Sequence, residues 1–254
     1  MAIELALTPD SRWEAPLPEL IRLASDAGFD AVGLPIAGAT AEAAEALREA
    51  GIGCHELLAN VLGPDEEAVI ATARAAAAAA ETVGASWVLT TFRAPVDERF
   101  LRLVREVAAI YADGGARLAA EFSPFGTRRS IADALEVVDA AGGPDRAGVL
   151  IDSWHFFRGD SSWEQLETIP LEAVAYLQFQ DALPLESDDL MHETLNRRAL
   201  PGRGELDLER FAAVLRDRGW EGVVSPELLS EELRARPLAE LLREAHETTA
   251  AYWR

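Results

Sequence analysis

The sequence predicts an α/β chain folded as one (β/α)₈ barrel, a TIM barrel, with residues 1–254 in a single domain. Three observations predict it. Short apolar runs alternate with longer amphipathic runs from end to end, eight of each, which is the pattern of a parallel sheet with helical crossovers. The length of 254 residues matches the roughly 250 that one such barrel needs. No G-x-G-x-x-G turn or phosphate-binding loop follows the first apolar run, which disfavours an open nucleotide-binding sheet.

The elements follow in order. Ile3–Leu7 reads as the first strand and Pro16–Ala27 as the first helix, stopped by Gly28. Phe29–Leu34 and Thr40–Ala50 form the second pair, closed by Gly51. Ile52–Leu58 and Asp65–Val83 form the third, the alanine run at 75–80 being strong helix-forming sequence. Trp87–Phe92 is the fourth strand and Val96–Asp113 its helix, stopped at Gly114-Gly115. Arg117–Phe122 with Ser130–Ala141, and Ala147–Asp152 with a short helix at Ser162–Thr168, continue the rhythm. Val174–Phe179 is strand seven, and a long loop then runs from about Asp181 to Gly204 before the helix Leu208–Arg218. Gly222–Ser225 and Leu238–Tyr252 complete the eighth pair.

Composition narrows the function. With 44 acidic and 23 basic residues the formal charge is -21, so long-range repulsion opposes nucleic acid and anionic membranes as partners. No run approaches 18 apolar residues, so no membrane helix is expected. The opening Met1-Ala2-Ile3-Glu4 lacks the basic and apolar regions of a signal peptide. The one cysteine, Cys54, permits no intramolecular disulfide and fits a reducing compartment. A cytoplasmic location is the expectation.

Barrel chemistry sits where strands end, and four polar groups end successive strands: Glu121, Asp152, Gln178 (in Tyr176-Leu177-Gln178-Phe179-Gln180-Asp181) and Glu227. Each adjoins an apolar strand, where an unpaired carboxylate is costly. No Lys or Arg lies at these strand ends to neutralise three carboxylates, whereas a divalent cation would. Any one of them alone reads equally well as a helix cap or a loop ion pair; three carboxylates and an amide on four consecutive strands read as a metal site. Hard oxygen donors suit Mn²⁺ or Mg²⁺ first, with Co²⁺ or Zn²⁺ as alternates.

At these residues the chain resembles the xylose isomerase-like barrels of the sugar phosphate isomerase/epimerase group. The resemblance is carried by Ala120-Glu121-Phe122, Asp152-Ser153-Trp154-His155, Tyr176–Asp181 and Leu200-Pro201-Gly202-Arg203-Gly204-Glu205-Leu206. It implies that Glu121, Asp152 and Glu227 are metal ligands and that Gln178 stands where many members carry a metal-binding histidine. A second departure is Gly33-Leu34-Pro35, where many members end strand two in glutamate. The implied activity is metal-assisted proton transfer beside a carbonyl of a small sugar or polyol. Glu121 and Glu227 would exchange the roles of base and acid.

The same resemblance puts His155, read as a loop residue, on substrate oxygens; a capping histidine is the plainer reading. Arg203, and with less support Arg198, would hold a phosphate, carboxylate or hydroxyl, or stand solvated in the loop. His55-Glu56 either line the pocket or form a supporting pair behind it. Trp13 and Phe92 are apolar pocket walls or ordinary aromatic packing. Three alternatives stand beside the isomerase. One is a lyase on the same site, such as an inosose-type dehydratase or a C-glycoside-cleaving subunit. Another is a non-catalytic barrel with metal affinity weakened by Gln178. The third is an apurinic-site phosphodiesterase, which four histidines and the negative charge oppose. A homo-oligomer is compatible with the resemblance.

Overall fold

The computed structural model describes residues 3–254, so Met1 and Ala2, which open the segment read as leaderless, lie outside the described residues. The elements run β1 (Glu4–Leu7), α1 (Leu17–Ala27), β2 (Ala31–Pro35), α2 (Ala41–Ala50), β3 (Gly53–Leu62), α3 (Glu66–Val83), β4 (Trp87–Phe92), α4 (Glu98–Asp113), β5 (Arg117–Glu121), α5 (Ile131–Ala141), β6 (Ala147–Asp152), α6 (Ser153–Arg158), α7 (Trp163–Thr168), β7 (Val174–Gln178), β8 (Asp181–Ala182), α8 (Leu190–Asn196), β9 (Arg198–Ala199), α9 (Leu208–Asp217), β10 (Val223–Ser225), α10 (Glu231–Arg234) and α11 (Leu238–Trp253). Eight parallel strands close the barrel in the order β1-β10-β7-β6-β5-β4-β3-β2. The single-domain (β/α)₈ barrel expected from the alternation is the fold observed.

The helices form for local reasons. Thr40, Asp65, Asp97 and Ser130 each accept a hydrogen bond from a first-turn backbone N–H, satisfying a donor the helix leaves open. In α4 the buried residues Phe100, Leu103, Val104, Val107, Ala108 and Tyr111 recur at helical spacing and cover the outside of the barrel. That seam is the main core. A second cluster, contributed by strands alone (Trp87, Leu89, Ala119, Leu150, Ala175 and Tyr176), fills the barrel interior. Among the described residues no helix is long and apolar enough to cross a membrane.

Three boundaries differ from the sequence expectations. Strand β3 continues past Leu58 to Leu62, because the polar Asn60 inside it donates to Tyr111 Oη at 2.9 Å and so loses little by burial. A six-residue helix, α6, begins immediately after β6, so His155 lies on a helix rather than in a loop. The span from Asp181 to Gly204 is also ordered locally: β8 and β9 pair antiparallel around α8.

Candidate active site

The barrel gathers the strand ends. Asp152 pairs in register with Gln178, and Gln178 with Ser225; Glu227 lies two residues beyond β10, bridged to Thr8 just past β1. Asp152 also caps α6, its Oδ1 accepting from the His155 backbone N at 2.8 Å. That cap folds the histidine back over the strand ends, with Nε2 3.6 Å from Glu121 Oε1. Glu121, Asp152 and His155 are all buried and offer ligand atoms within 4.8 Å of one another.

The expectation that no cation reaches these carboxylates is corrected by Arg198. It comes from β9, 46 residues from Asp152 in sequence, and is buried. Its Nη1 donates to Asp152 Oδ2 at 2.8 Å and to Glu227 Oε2 at 2.7 Å, while Nε and Nη2 are held by Thr194. Gln180, which sequence reasoning passed over for Gln178, ties the same pair together. Its Nε2 donates to Asp152 Oδ2 at 2.9 Å and its Oε1 accepts from the Glu227 backbone at 3.1 Å.

These contacts divide the carboxyls into two kinds. Burial pushes Glu121 well above the usual carboxylate range, reinforced by the charges of Glu227 and Asp152. Burial likewise raises Glu227 to about 7, even though Arg198 pulls the other way. Burial also opposes ionisation of Asp152, but Arg198 and His155 outweigh it and hold that carboxyl below its ordinary value. Burial lowers His155 to about 4, leaving a neutral imidazole at physiological pH. So the site holds one carboxyl kept ionised beside two whose charged forms burial disfavours, the kind of division that acid–base machinery uses.

The other sequence candidates scatter. Glu121, Glu227, His155, Arg198 and Phe92 line one cavity of about 450 Å³, so Phe92 serves as a wall. Trp13 lines a separate cavity. Arg203 does not reach the site: its side chain is 66% exposed and sits 3.8 Å from Glu244 on α11, just after Gly202 with its φ of 76°. His55 and Glu56 lie inside the barrel, outside the cavity lining.

Glu56 accepts from Thr8 Oγ1 and Tyr176 Oη and lies 3.1 Å from His55 Nε2. Burial disfavours its charge, yet His55 and these hydroxyls hold it below the usual range. A side chain at Gly33 would collide with it, an added Cβ lying 2.7 Å from Glu56 Oε1. Glu56 of β3 therefore fills the space above strand two that the glycine leaves open. Thr8, Ser225 and Tyr176 were not singled out in the sequence; Thr8 directly follows β1, and alternation from Glu227 and Gln178 marks Ser225 and Tyr176 as sharing one face.

The donor set fits a divalent cation. Beyond the three clustered ligands, both amide atoms of Gln178 and Nδ1 of His155 are buried with no hydrogen-bond partner among the described residues. Buried polar atoms left open in this way are rare without a ligand to take them. An imidazole joins the expected carboxylates, so the group is a mixed nitrogen–oxygen set rather than oxygen alone.

Fold and site together define a barrel whose chemistry is grouped at the C-terminal strand ends. The chain belongs to the xylose isomerase-like TIM barrel family, whose model matches residues 21–251. It is 28% identical over 151 residues to an inosose isomerase of Halalkalibacterium halodurans, a match covering 59% of this chain and 52% of that protein. It is 33% identical over 92 residues to a 3-dehydroshikimate dehydratase of Pseudomonas putida, covering 35% of this chain and 14% of that protein. The chain thus spans about half the length of the inosose isomerase it matches. In structure it is similar to the IolI protein with a bound zinc atom, with a TM-score of 0.85 at 21% identity over 98% of this chain and 97% of that one, a likeness of fold.

Proposed function

We propose that the chain is a divalent-metal-dependent isomerase or epimerase that moves a proton beside the carbonyl of a small sugar-like ketone or polyol. The observation that carries this reading is the pair Glu121 and Glu227. Both line the same cavity, beside the Asp152 carboxylate that Arg198 and Gln180 hold, and burial raises both carboxyls above their ordinary range, Glu227 to about 7. A carboxylate that takes a proton and a carboxylic acid that gives one, on a single cavity, are what a reversible proton transfer requires.

Glu121, Asp152 and His155 would hold the ion, with the Gln178 amide oxygen as a further donor. Mn²⁺ suits carboxylate and imidazole together, and Zn²⁺ and Co²⁺ accept the same set. The chemistry a bound divalent ion supplies is polarisation of carbonyl and hydroxyl oxygens on adjacent carbons. The protein does the rest. Arg198 keeps Asp152 charged and fixes the Glu227 carboxyl by its 2.7 Å bond. Gln180 locks the backbone of Glu227 to Asp152. Glu227 or Glu121 removes the carbon-bound proton, and the other returns one. The chain contains no lysine, so carbonyl activation through a side-chain Schiff base is not open to it.

A lyase on the same residues is the second reading, favoured by the likeness to a 3-dehydroshikimate dehydratase. Its first step is the same proton abstraction, followed by loss of a β-hydroxyl. Incubation in D₂O with Mn²⁺ and a panel of ketoses, inososes and 3-dehydroshikimate, followed by NMR, tests both. Deuterium at the carbon beside the carbonyl with the skeleton retained supports the isomerase or epimerase. A dehydrated product supports the lyase. Neither change with any member of the panel would contradict the proposal.

A further inference from the structure

Three arginines line the cavity that Glu121 and Glu227 share: Arg12, Arg93 and Arg198. Two are committed within the protein. Arg198 spans Asp152 and Glu227. Arg12 lies along Asp10, with Nε 2.8 Å from Oδ1, and also donates to the Leu195 carbonyl at 2.6 Å. Arg93, one residue past β4, is exposed on the cavity wall, and its side chain makes no hydrogen bond or ion pair with any described residue. Other exposed arginines, such as Arg74 and Arg102, are also without a carboxylate partner among the described residues; what sets Arg93 apart is its place, as the one uncommitted guanidinium of the three on this cavity wall. The hydroxyls of Thr91 and Ser123, which line the same cavity, are also without hydrogen-bond partners among the described residues.

We infer that the substrate carries a carboxylate, which the Arg93 guanidinium binds at the β4 side of the cavity with Thr91 and Ser123 as neighbouring donors. This rests on the proton-transfer reading of the same cavity and adds the substrate's charge class to it. A guanidinium matches a carboxylate with two parallel N–H bonds. A phosphate monoester shares the anionic chemistry but is a poorer match. Phosphate sites usually combine several backbone N–H groups or a helix N-terminus, whereas here one cation and two hydroxyls face a cavity that already contains Glu121 and Glu227. The carboxylate would sit away from Arg198 and leave that side chain to the catalytic carboxyls.

The test is calorimetric titration of the wild type and Arg93→Gln, each with Mn²⁺, using 3-dehydroshikimate as the carboxylate probe, an inosose as the neutral cyclic ketone and fructose 6-phosphate as the phosphate probe. The wild type should bind the carboxylate probe about tenfold tighter than the neutral one, and Arg93→Gln should lose about that factor for the carboxylate alone, as expected for one charge-assisted pair. A larger Arg93-dependent gain for the phosphate probe would replace carboxylate by phosphate and overturn the assignment. Equal weakening of all probes in the variant, a neutral probe bound as tightly as the carboxylate, or no binding by any probe would overturn it too. Solvent-deuterium exchange on the same samples separates the two readings. Exchange on the neutral probe with no anion preference sinks only the anion inference, whereas an anion preference with no exchange on any probe sinks only the proton-transfer reading.

Discussion

Replacing Arg198 by methionine removes the one guanidinium that joins Asp152 to Glu227. The side chain is 2% exposed and makes bonds of 2.8 and 2.7 Å to the two carboxylates. Removing one partner of a buried pair leaves uncompensated charge and costs about 3–5 kcal/mol. In a domain of this size that corresponds to a fall in Tm of roughly 6–20 °C. The loss has a definite pH dependence. Arg198 lowers both Asp152 and Glu227, so both rise when it is gone, and the variant's native state then holds protons that the wild type's does not. The destabilisation is therefore smallest in acid, where the orphaned carboxyls are protonated, and grows as pH rises through their new values. Urea unfolding of both proteins in EDTA, at about pH 5.5 and about pH 8.5, measures it. A penalty that is equal at the two pH values, or below about 1 kcal/mol at the higher one, would refute the electrostatic account of this pair.

Three further outcomes follow from the same residues. In metal-free wild type, His155 and Glu227 pull in opposite directions below neutrality. The histidine, lowered to about 4, gains stability as pH rises towards 6.5, whereas Glu227, raised from 4.5 to about 7, loses it. Above pH 6.5 the Glu227 carboxyl, raised to about 7, still loses protons that the unfolded chain has already lost, so stability should fall by roughly 1 kcal/mol in total between pH 6.5 and 8.5, and excess Mn²⁺ should flatten the decline; a rise over that interval contradicts the assignments. Glu227→Gln, which keeps the shape and removes the titrating group, should cut deuterium exchange by about 10²–10⁴-fold with little change in thermal stability. Gly33→Ala should destabilise by about 1–3 kcal/mol because the new Cβ meets Glu56 at 2.7 Å, and the same substitution in a Glu56→Ala background should cost much less.

The legible part of the fold was its repeating part. Each helix of three turns or more carries an apolar stripe, and several stop at a left-handed glycine, such as Gly28 at φ 101° and Gly142 at φ 108°. Elements too short to carry a period escaped. Ser153–Arg158 is six residues whose first four are all buried, so no exposed stripe distinguishes a helix from a buried loop, and β8 and β9 are two residues each.

The site divided in a similar way. Glu121 and Asp152 are the last residues of apolar strands and Glu227 follows the eighth closely, which exposes them to a sequence reading. Arg198 reaches Asp152 through a loop that folds back across 46 positions, and Gln180, two residues past β7, reaches it across 28; no local pattern encodes the return of Arg198. Arg203 failed as a pocket residue for the same reason: its place in the loop was visible, but the direction its backbone takes was not.

The account stands most directly on whether Glu121, Asp152 and His155 hold an ion. Elemental analysis of the wild type and of a Glu121→Gln, Asp152→Asn double variant, each incubated with excess Mn²⁺ and passed through a desalting column, decides it. The account predicts about one divalent ion per chain in the wild type and its loss in the folded variant. A wild type that retains no metal, or a variant that retains as much as the wild type, would contradict it.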